Sequence, residues 1–560
     1  MVQHTANLHS DVGGSQLPSN PAMGSTFDHK HDALVVGTGF GGLYSLYLLK
    51  QLGIDVRAID SAADVGGTWY WNRYPGCRSD VESHVYRYSW DKDLLKSSPW
   101  KHNYLYQPEV LAYFQEVARK HDLYPLIHFG EEMRSAEWND EAHHWTVLTN
   151  TGKRFVVRYL ITAVGLVHNK YIPDFPGLDT FAGQAVHSFS WTPDIKWEGK
   201  RVAVIGSGAS GVQIVSSISE KAKSLTHFIR HAQYVIPSRY RELSSKEREQ
   251  INEQYDKIWE TVFTSATAFG FIEPNRPAMS LSPGDREAIF ERLWQEGNGF
   301  RFLFGGFSDL GIDEAANKEA MNFIMRKMKE TVKDPQKADA LTSTDWFARR
   351  PLTDDHYYER FNQDNVFAVN VRKTPISKVT PEGILTADGT LHPLDLIVFA
   401  TGYDAIDGSY ANLNIKGLDG IDLNDKWAAD GPKTQLGVLT SKFPNLFIVN
   451  GPGAAFANNP PAAEQNVEFI GSIIMKAEDV RRNEGGDGVV EGTLEAERKW
   501  YEQAAMISDM SLFSKAPSWL YGQNIPGKRA GPRVYFGGVA RYRAAVAEEK
   551  ARGFPGCKFR

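Results

Sequence analysis

The apolar positions of this chain fall into one succession that occurs twice. ALVVG at 33–37 is short, wholly apolar and closed by glycine, as expected of a strand buried on both faces in a parallel sheet. GTGFGG follows it, then the helical pattern LYSLYLLKQLG, then a second strand, DVRAID, ending at Asp60. Near residue 200 the order returns as RVAVI, GSGASG, VQIVSSISEKA and SLTHFIR, ending at Arg230. Two strand–turn–helix–strand units predict an α/β fold with two Rossmann-like dinucleotide-binding domains.

Between and after these units the pattern changes. Residues 244–271 read as helical, with Ile251, Tyr255, Ile258, Trp259 and Val262 at three- and four-residue spacings. Residues 285–332 do the same through Met321, Ile324, Met325 and Met328, which we read as core packing rather than a cofactor box. They predict a helical insertion, 238–344, in the second nucleotide domain. Strands return at NVFAVNV, LDLIVFATGY and NLFIVNGPG. The expected division is a flexible arm at 1–30, a first domain at 31–160 and 398–560, and a second at 161–237 and 345–397.

The glycines carry the chemistry. Gly37, Gly39 and Gly42, with Phe40 between them, sit between strand and helix, where they permit a tight turn, backbone approach to a pyrophosphate and close helix–strand packing. The helix start offers free N–H groups to phosphate, and Asp60 can bind a ribose hydroxyl pair. Gly206, Gly208 and Gly211, with Ser207, Ala209, Ser210 and Gln213 around them, repeat the arrangement. There the following strand ends in Arg230 and His231 instead of an acid. A guanidinium pairs with a 2′-phosphate that a carboxylate would repel, so the second site should prefer NADP. The alternative is a solvated surface arginine. A nicotinamide site and a second dinucleotide site in one chain imply hydride transfer to a flavin, so the first site should hold FAD.

Composition narrows the partners. A formal charge of −6 gives no reason to expect nucleic acid, and no apolar run approaches the length of a membrane span. Only Cys77 and Cys557 are present, so there is no disulfide framework and no redox pair; a cytoplasmic enzyme fits. The sixteen histidines show no ligand spacing, so no metal is expected.

FAGQAVHSFSW at 181–191 matches the pattern F-x-G-x-x-x-H-x-x-x-W through Phe181, Gly183, His187 and Trp191, and GGTWYWNRYPGCRSD at 66–80 is a second distinctive stretch. With these motifs the chain resembles the Baeyer–Villiger monooxygenases, class B flavoprotein monooxygenases, from about residue 31 to SWLYGQNIPGK at 518–528. The resemblance implies an enzyme that uses NADPH, FAD and O2 to convert a ketone into an ester or lactone through a flavin peroxide. It implies FAD contacts from Asp60, Gly67, Thr68, Trp69, Tyr70, Trp71, Asp80 and Tyr86. It implies a 2′-phosphate cradle of Arg230, His231 and Arg349, and Trp519 near the nicotinamide. Asp60 stands where the family usually has Glu, His231 where it has Thr, and Arg349 where it has Lys. His187 and Trp191 fall in a linker that couples domain movements.

By the same resemblance Arg350, in WFARRPL, is the active-site arginine and Asp80 its partner acid. The chemistry agrees: negative oxygen needs a cation that stays protonated. A surface ion pair of Arg350 with Asp354 or Asp355 is the bland alternative. The segment 451–469, small and mostly uncharged, is expected to line the ketone pocket. Two other readings stay open: oxygenation of nitrogen or sulfur, and a flavin-binding sensor without catalysis. Trp191 and Arg350 favour ketone chemistry.

Overall fold

Each glycine-rich turn grows out of the central region of its own sheet. The structure, a computed structural model, describes residues 28–560. In the first sheet the strands run in the order Asn414–Lys416, Met133–Asn139, His144–Thr149, Arg154–Thr162, His29–Val36, Val56–Asp60 and Ile127–Phe129, with Leu446–Ile448 also pairing to Arg154–Thr162. His29–Val36 is parallel to both neighbours, and Ala33, Leu34 and Val35 are fully buried, as the apolar run requires. The strand begins at His29 rather than Ala33. His29 pairs with Phe155 and stacks on its ring at 5.0 Å, so the expected arm gives way to sheet before residue 30; the rest of that arm, 1–27, lies outside the described residues.

The second sheet is parallel throughout, in the order Val366–Asn370, Ser224–Ile229, Arg201–Ile205, Leu396–Phe399 and Gln184–His187. Its turn follows Arg201–Ile205, where the strand order reverses, the position at which parallel sheets open a ligand crevice. Two expected boundaries fall inside strands. Leu396–Phe399 spans the division at 397/398, and Arg154–Thr162 spans the one at 160/161. An apolar run shows that a strand exists but not which sheet it joins.

The insertion is helical but more broken than its periodicity predicts. Ser245–Glu253 and Tyr255–Thr264 meet at Gln254, and the chain from 265 to 282 contains only one short 3-10 turn. The second stretch divides into Pro283–Glu296, Gly299–Phe304 and Glu314–Thr331. Gly297 and Asn298 break it with φ of 80° and 75°, and Asn298 Oδ1 then accepts from the N–H groups of Phe300 and Arg301 at 2.9 and 3.1 Å. Ile324, Met325 and Met328 are buried, as core residues should be. Among the described residues no helix is long and apolar enough to cross a membrane.

The segment 451–469 divides in two, with Phe456 lining an apolar cavity before the helix begins. From Asn459 it is the start of a long buried helix, Asn459–Asp479, with prolines in its first turn, where their missing N–H costs nothing. This helix lies against Phe40–Gln51 so closely that a Cβ on Gly471 would sit 3.1 Å from Leu48. It buries Glu464, which accepts from the Ser89 N–H at 2.7 Å and pairs with the Ser89 hydroxyl. Burial pushes this carboxyl up to about 8, and nearby Glu468 adds to the effect while the Ser89 bonds oppose it. The folded chain therefore holds a proton that the unfolded chain releases above about pH 4.5. The stability this gives is complete below that pH and is lost as pH rises through about 8. Glu464→Gln should fold and keep the Ser89 contacts. Its melting temperature relative to the parent should climb between pH 5.5 and 8.5; a constant offset in thermal melts would contradict the assignment.

Candidate active site

The first turn is built by exclusion of side chains. Gly37 has φ of 97°, and a Cβ there would lie 2.5 Å from the Ala163 carbonyl oxygen. A Cβ on Gly42 would overlap the Gly37 carbonyl. Gly67 faces Gly39, with its Cβ position 2.9 Å from the Gly39 Cα, so the segment 66–80 lies directly on the turn. The helix Phe40–Gln51 starts at Gly39 with no side-chain cap, leaving its first N–H groups for an anion. Asp60 is buried at the end of its strand. Its Oδ2 accepts from the Thr38 N–H and hydroxyl at 2.7 and 2.6 Å, and its Oδ1 from the Ala62 N–H at 2.8 Å. The acid thus fastens the turn through Thr38, a role its position in the motif does not reveal.

The aromatic residues expected beside FAD gather around this turn. Phe40 meets Tyr86 edge-on at 5.3 Å, and Trp69 Nε1–H donates to the Tyr86 hydroxyl at 3.2 Å. Burial raises the Tyr86 phenol well above its ordinary range, so it is neutral. Trp71 stacks on Phe189 at 5.7 Å, beside the linker, with Tyr70 against it and Thr68 exposed.

The second turn repeats the geometry with one informative difference. Gly206, at φ 107°, is pressed against the Ala400 carbonyl, and Gly211 against the carbonyl of Gly206. A Cβ on Gly208, by contrast, would meet nothing within 4 Å. That open cradle, at the uncapped start of Ala209–Ile218, fits a pyrophosphate. Ala209 and Ser210 are half-buried there, and the Ser207 hydroxyl donates to the His231 carbonyl at 2.6 Å. Gln213 does not face the cradle's ligand with free groups. Its Oε1 accepts from Tyr74 at 3.0 Å and its Nε2 donates to the Arg78 carbonyl at 3.2 Å, so it joins the two domains.

Arg230 is exposed just past its strand. His231 and Arg349 come together on an acid the sequence reading missed, Asp345. Its Oδ2 lies 2.8 Å from His231 Nδ1 and 2.9 Å from Arg349 Nη2, and Arg372 approaches its Oδ1 at 3.7 Å. The His231 hydrogen bond and the Arg349 charge pull this carboxyl down to about 2. Arg349 Nε also donates to the Pro517 carbonyl at 2.9 Å, which draws the segment carrying half-buried Trp519 toward the same cluster. The one local signal was an acid four residues before Arg349.

Arg350 pairs with Asp80. Nη2 lies 2.6 Å from Oδ2, and the side chains are 31% and 9% exposed. The surface alternatives are spent elsewhere: Asp354 on Arg78 at 3.1 Å, and Asp355 on the N–H groups of Arg239 and Tyr240 at 2.7 and 2.9 Å. The Arg350 guanidinium lies 5.6 Å from the Phe300 ring centroid, and its Nη1 is buried with no hydrogen-bond partner among the described residues. A buried donor left open beside the flavin-side segment fits a negative oxygen.

His187 and Trp191 are buried where the chain crosses between the sheets. His187 Nε2 lies 3.0 Å from the Gly402 carbonyl, and its Nδ1 accepts from the Phe189 N–H at 3.2 Å. Burial lowers the imidazole to about 4, so it stays neutral and Nε2 carries the proton it donates. The other crossing is clasped to this one by the antiparallel pair Asn169–Lys170 and Tyr403–Asp404.

Two glycine-rich turns at uncapped helix starts, one in each sheet, together with the arginine–aspartate pair, fit a two-cofactor flavoprotein. The flavin-binding monooxygenase-like family matches residues 30–244. The chain is 42% identical to a Baeyer–Villiger monooxygenase of Pseudooceanicola batsensis, over 96% of this chain and 97% of the relative. It is 45% identical to a phenazine N-monooxygenase of Lysobacter antibioticus, over 92% and 95%. The crystal structure of cyclohexanone monooxygenase from Rhodococcus sp. Phi1 bound to NADP+ superposes with a TM-score of 0.92 at 42% identity, covering 95% of this chain and 99% of that one. The chain belongs to the Baeyer–Villiger monooxygenase family of class B flavoprotein monooxygenases.

The contrast between the glycines gives a test. Gly211→Ala should lower the melting temperature, because its methyl group collides with backbone, at a cost of about 1–3 kcal/mol. Gly208→Ala should melt with the parent yet bind NADP+ more weakly in calorimetric titration. Equal affinity in that variant would remove Gly208 from the cradle.

Proposed function

We propose that this chain uses NADPH and O2 to insert one oxygen atom beside a ketone carbonyl, giving an ester or lactone. The observation that carries the reading is the Arg350–Asp80 pair with one guanidinium nitrogen buried and open. Bound FAD, reduced by NADPH, supplies the activated oxygen. The rest falls to the chain. Arg350 offers its open Nη1 to oxygen that carries negative charge, in a wall made dry by Phe300. Asp80 fixes the direction of that guanidinium. Arg230, His231 and Arg349 hold the 2′-phosphate, with Asp345 keeping the last two in place. We assign the enzyme to the cytoplasm, where its two thiols, Cys77 and Cys557, stay unpaired. Its partners are then small molecules, a ketone and O2.

The Lysobacter relative motivates a second reading, oxygenation of an aromatic nitrogen. Nitrogen attack does not need a persistently anionic oxygen donor, so Arg350 favours the ketone. Incubation of FAD-loaded enzyme with NADPH, 18O2 and either cyclohexanone or phenazine separates them. Labelled lactone supports the first reading; labelled N-oxide with no lactone overturns it.

Two variants test the residues. Arg350→Ala should keep its flavin absorbance and lose about 10²- to 10³-fold in ketone turnover; parent-like ester yield would remove Arg350 from the chemistry. Arg230→Ala should raise KM for NADPH while leaving KM for NADH unchanged, which steady-state kinetics with the two cofactors would show.

A further inference from the structure

An apolar cavity lies outside the Arg350–Asp80 site. It measures about 260 Å3 and is walled by Phe304, Phe307, Phe456, Phe513 and Phe536. Its inner end is tied to the site. Phe456 and Phe304 pack in one apolar cluster with Phe300 and Tyr86, and Phe300 is the ring that faces the Arg350 guanidinium. Phe300 and Phe304 are one turn apart on the helix Gly299–Phe304, so the cavity wall and the ring beside the guanidinium belong to one short helix. Its outer end opens to solvent at Ile312, which lines the cavity and is still 57% exposed. Beyond it, Met506 and Met510 flank the lining residues Ile507 and Ser511 and are 60% and 62% exposed.

The polar groups in the inner wall are already used. The Glu273 carboxylate accepts from the N–H groups of Ala266 and Thr267 at 3.0 and 2.9 Å and from the Thr267 hydroxyl at 2.7 Å. The Ser511 hydroxyl donates to the Ser508 carbonyl at 2.7 Å. The wall therefore has little to offer a polar ligand and rewards hydrocarbon. Size selects further: a dry apolar cavity of about 150 Å3 accommodates benzene, and this one is larger.

We propose that this cavity holds the hydrocarbon arm of the ketone, an alkyl chain or fused ring attached beside the carbonyl, so that the enzyme selects ketones bulkier than a single bare ring. The inference rests on the ketone-oxygenating reading and adds the class of substrate to it. Burial of each methylene is worth about a fourfold gain in binding.

The test is steady-state kinetics of the FAD-loaded full chain on cyclohexanone and its 2-methyl to 2-hexyl derivatives. KM should fall about three- to fourfold per methylene until the arm reaches the mouth, then level off. Two variants fill the cavity from different walls, Gly311→Leu and Ile507→Trp. At Gly311 a Cβ would stand 3.4 Å from the Phe513 ring, an ordinary contact, so the backbone accepts it. Flavin absorbance and melting temperature report that each variant is folded. Loss of the chain-length gain in either folded variant, with turnover of cyclohexanone much less affected, supports the proposal. Turnover of cyclohexanone with a flat KM across the series in the parent, or an unchanged slope in both folded variants, overturns it alone. Absence of ester from every ketone overturns the proposed function and this inference with it.

Discussion

Two separately folded sheets have to meet for their two cradles to face one another, and the segment 66–80 is where they touch. At one end Gly67 lies on Gly39, against the first turn. Further along, Gly76, at φ 82°, passes so close to the helix Ala209–Ile218 that a Cβ would stand 2.8 Å from the Gln213 carbonyl oxygen. Tyr74 and the Arg78 carbonyl then grip the two ends of the Gln213 amide. Arg78 closes on Asp354 with both side chains almost wholly buried. Desolvation makes such a pair a poor source of stability, but loss of either partner leaves a buried charge at a cost of about 3–5 kcal/mol. Its effect is to forbid other registers between the domains. Asp80 follows two residues later, so the acid that aims Arg350 is delivered by the same rigid stretch.

The linkers form a second contact between the sheets. The chain crosses between the sheets twice, and the crossings are joined to each other by two short strands and the His187–Gly402 hydrogen bond. Because burial keeps His187 neutral down to about pH 4, the clasp does not depend on charge. The sheets are thus held together near the two glycine-rich turns by ions and amides and joined elsewhere by a pair of short strands.

What could be read from the sequence was local. A strand, a glycine turn and a helix are contiguous, so both nucleotide units emerge with ends close to those predicted. The strand Met133–Asn139 is hard to read because a register shift between Met133 and Ser135 spoils its alternation, and His144–Thr149 because the apolar Leu148 faces outward, 41% exposed. The helix Asn459–Asp479 was disguised by Asn-Pro-Pro at its start and by Glu464, Gln465 and Asn466, polar residues that are buried. Asp345 was invisible for a different reason. Its partners come from positions 231, 349 and 372, and only folding brings the first and last to the carboxylate beside Arg349. Gln213 adds a contact that its place in the glycine motif does not announce: its side chain bonds Tyr74 and the Arg78 carbonyl across the domain contact. Motifs locate backbone geometry well and side-chain partners poorly, because partners are a property of distant segments.

The asymmetry of the Arg350–Asp80 pair carries the argument furthest. Asp80 is nearly sealed and its oxygen is satisfied by Nη2, while Arg350 keeps a third of its side chain exposed and one buried nitrogen without an acceptor among the described residues. Leaving a buried donor open costs about 1–3 kcal/mol, and more for a charged group. The cost makes sense if the donor is held for a negative oxygen that arrives only during turnover. Its orientation is then fixed in advance, and no reorganisation is needed when the charge appears. On this account the fixed partner has to be an acid that cannot move. Asp80, sealed at the end of the segment on which the two domains meet, is such an acid, and the contact between the domains and the aim of the guanidinium become one constraint.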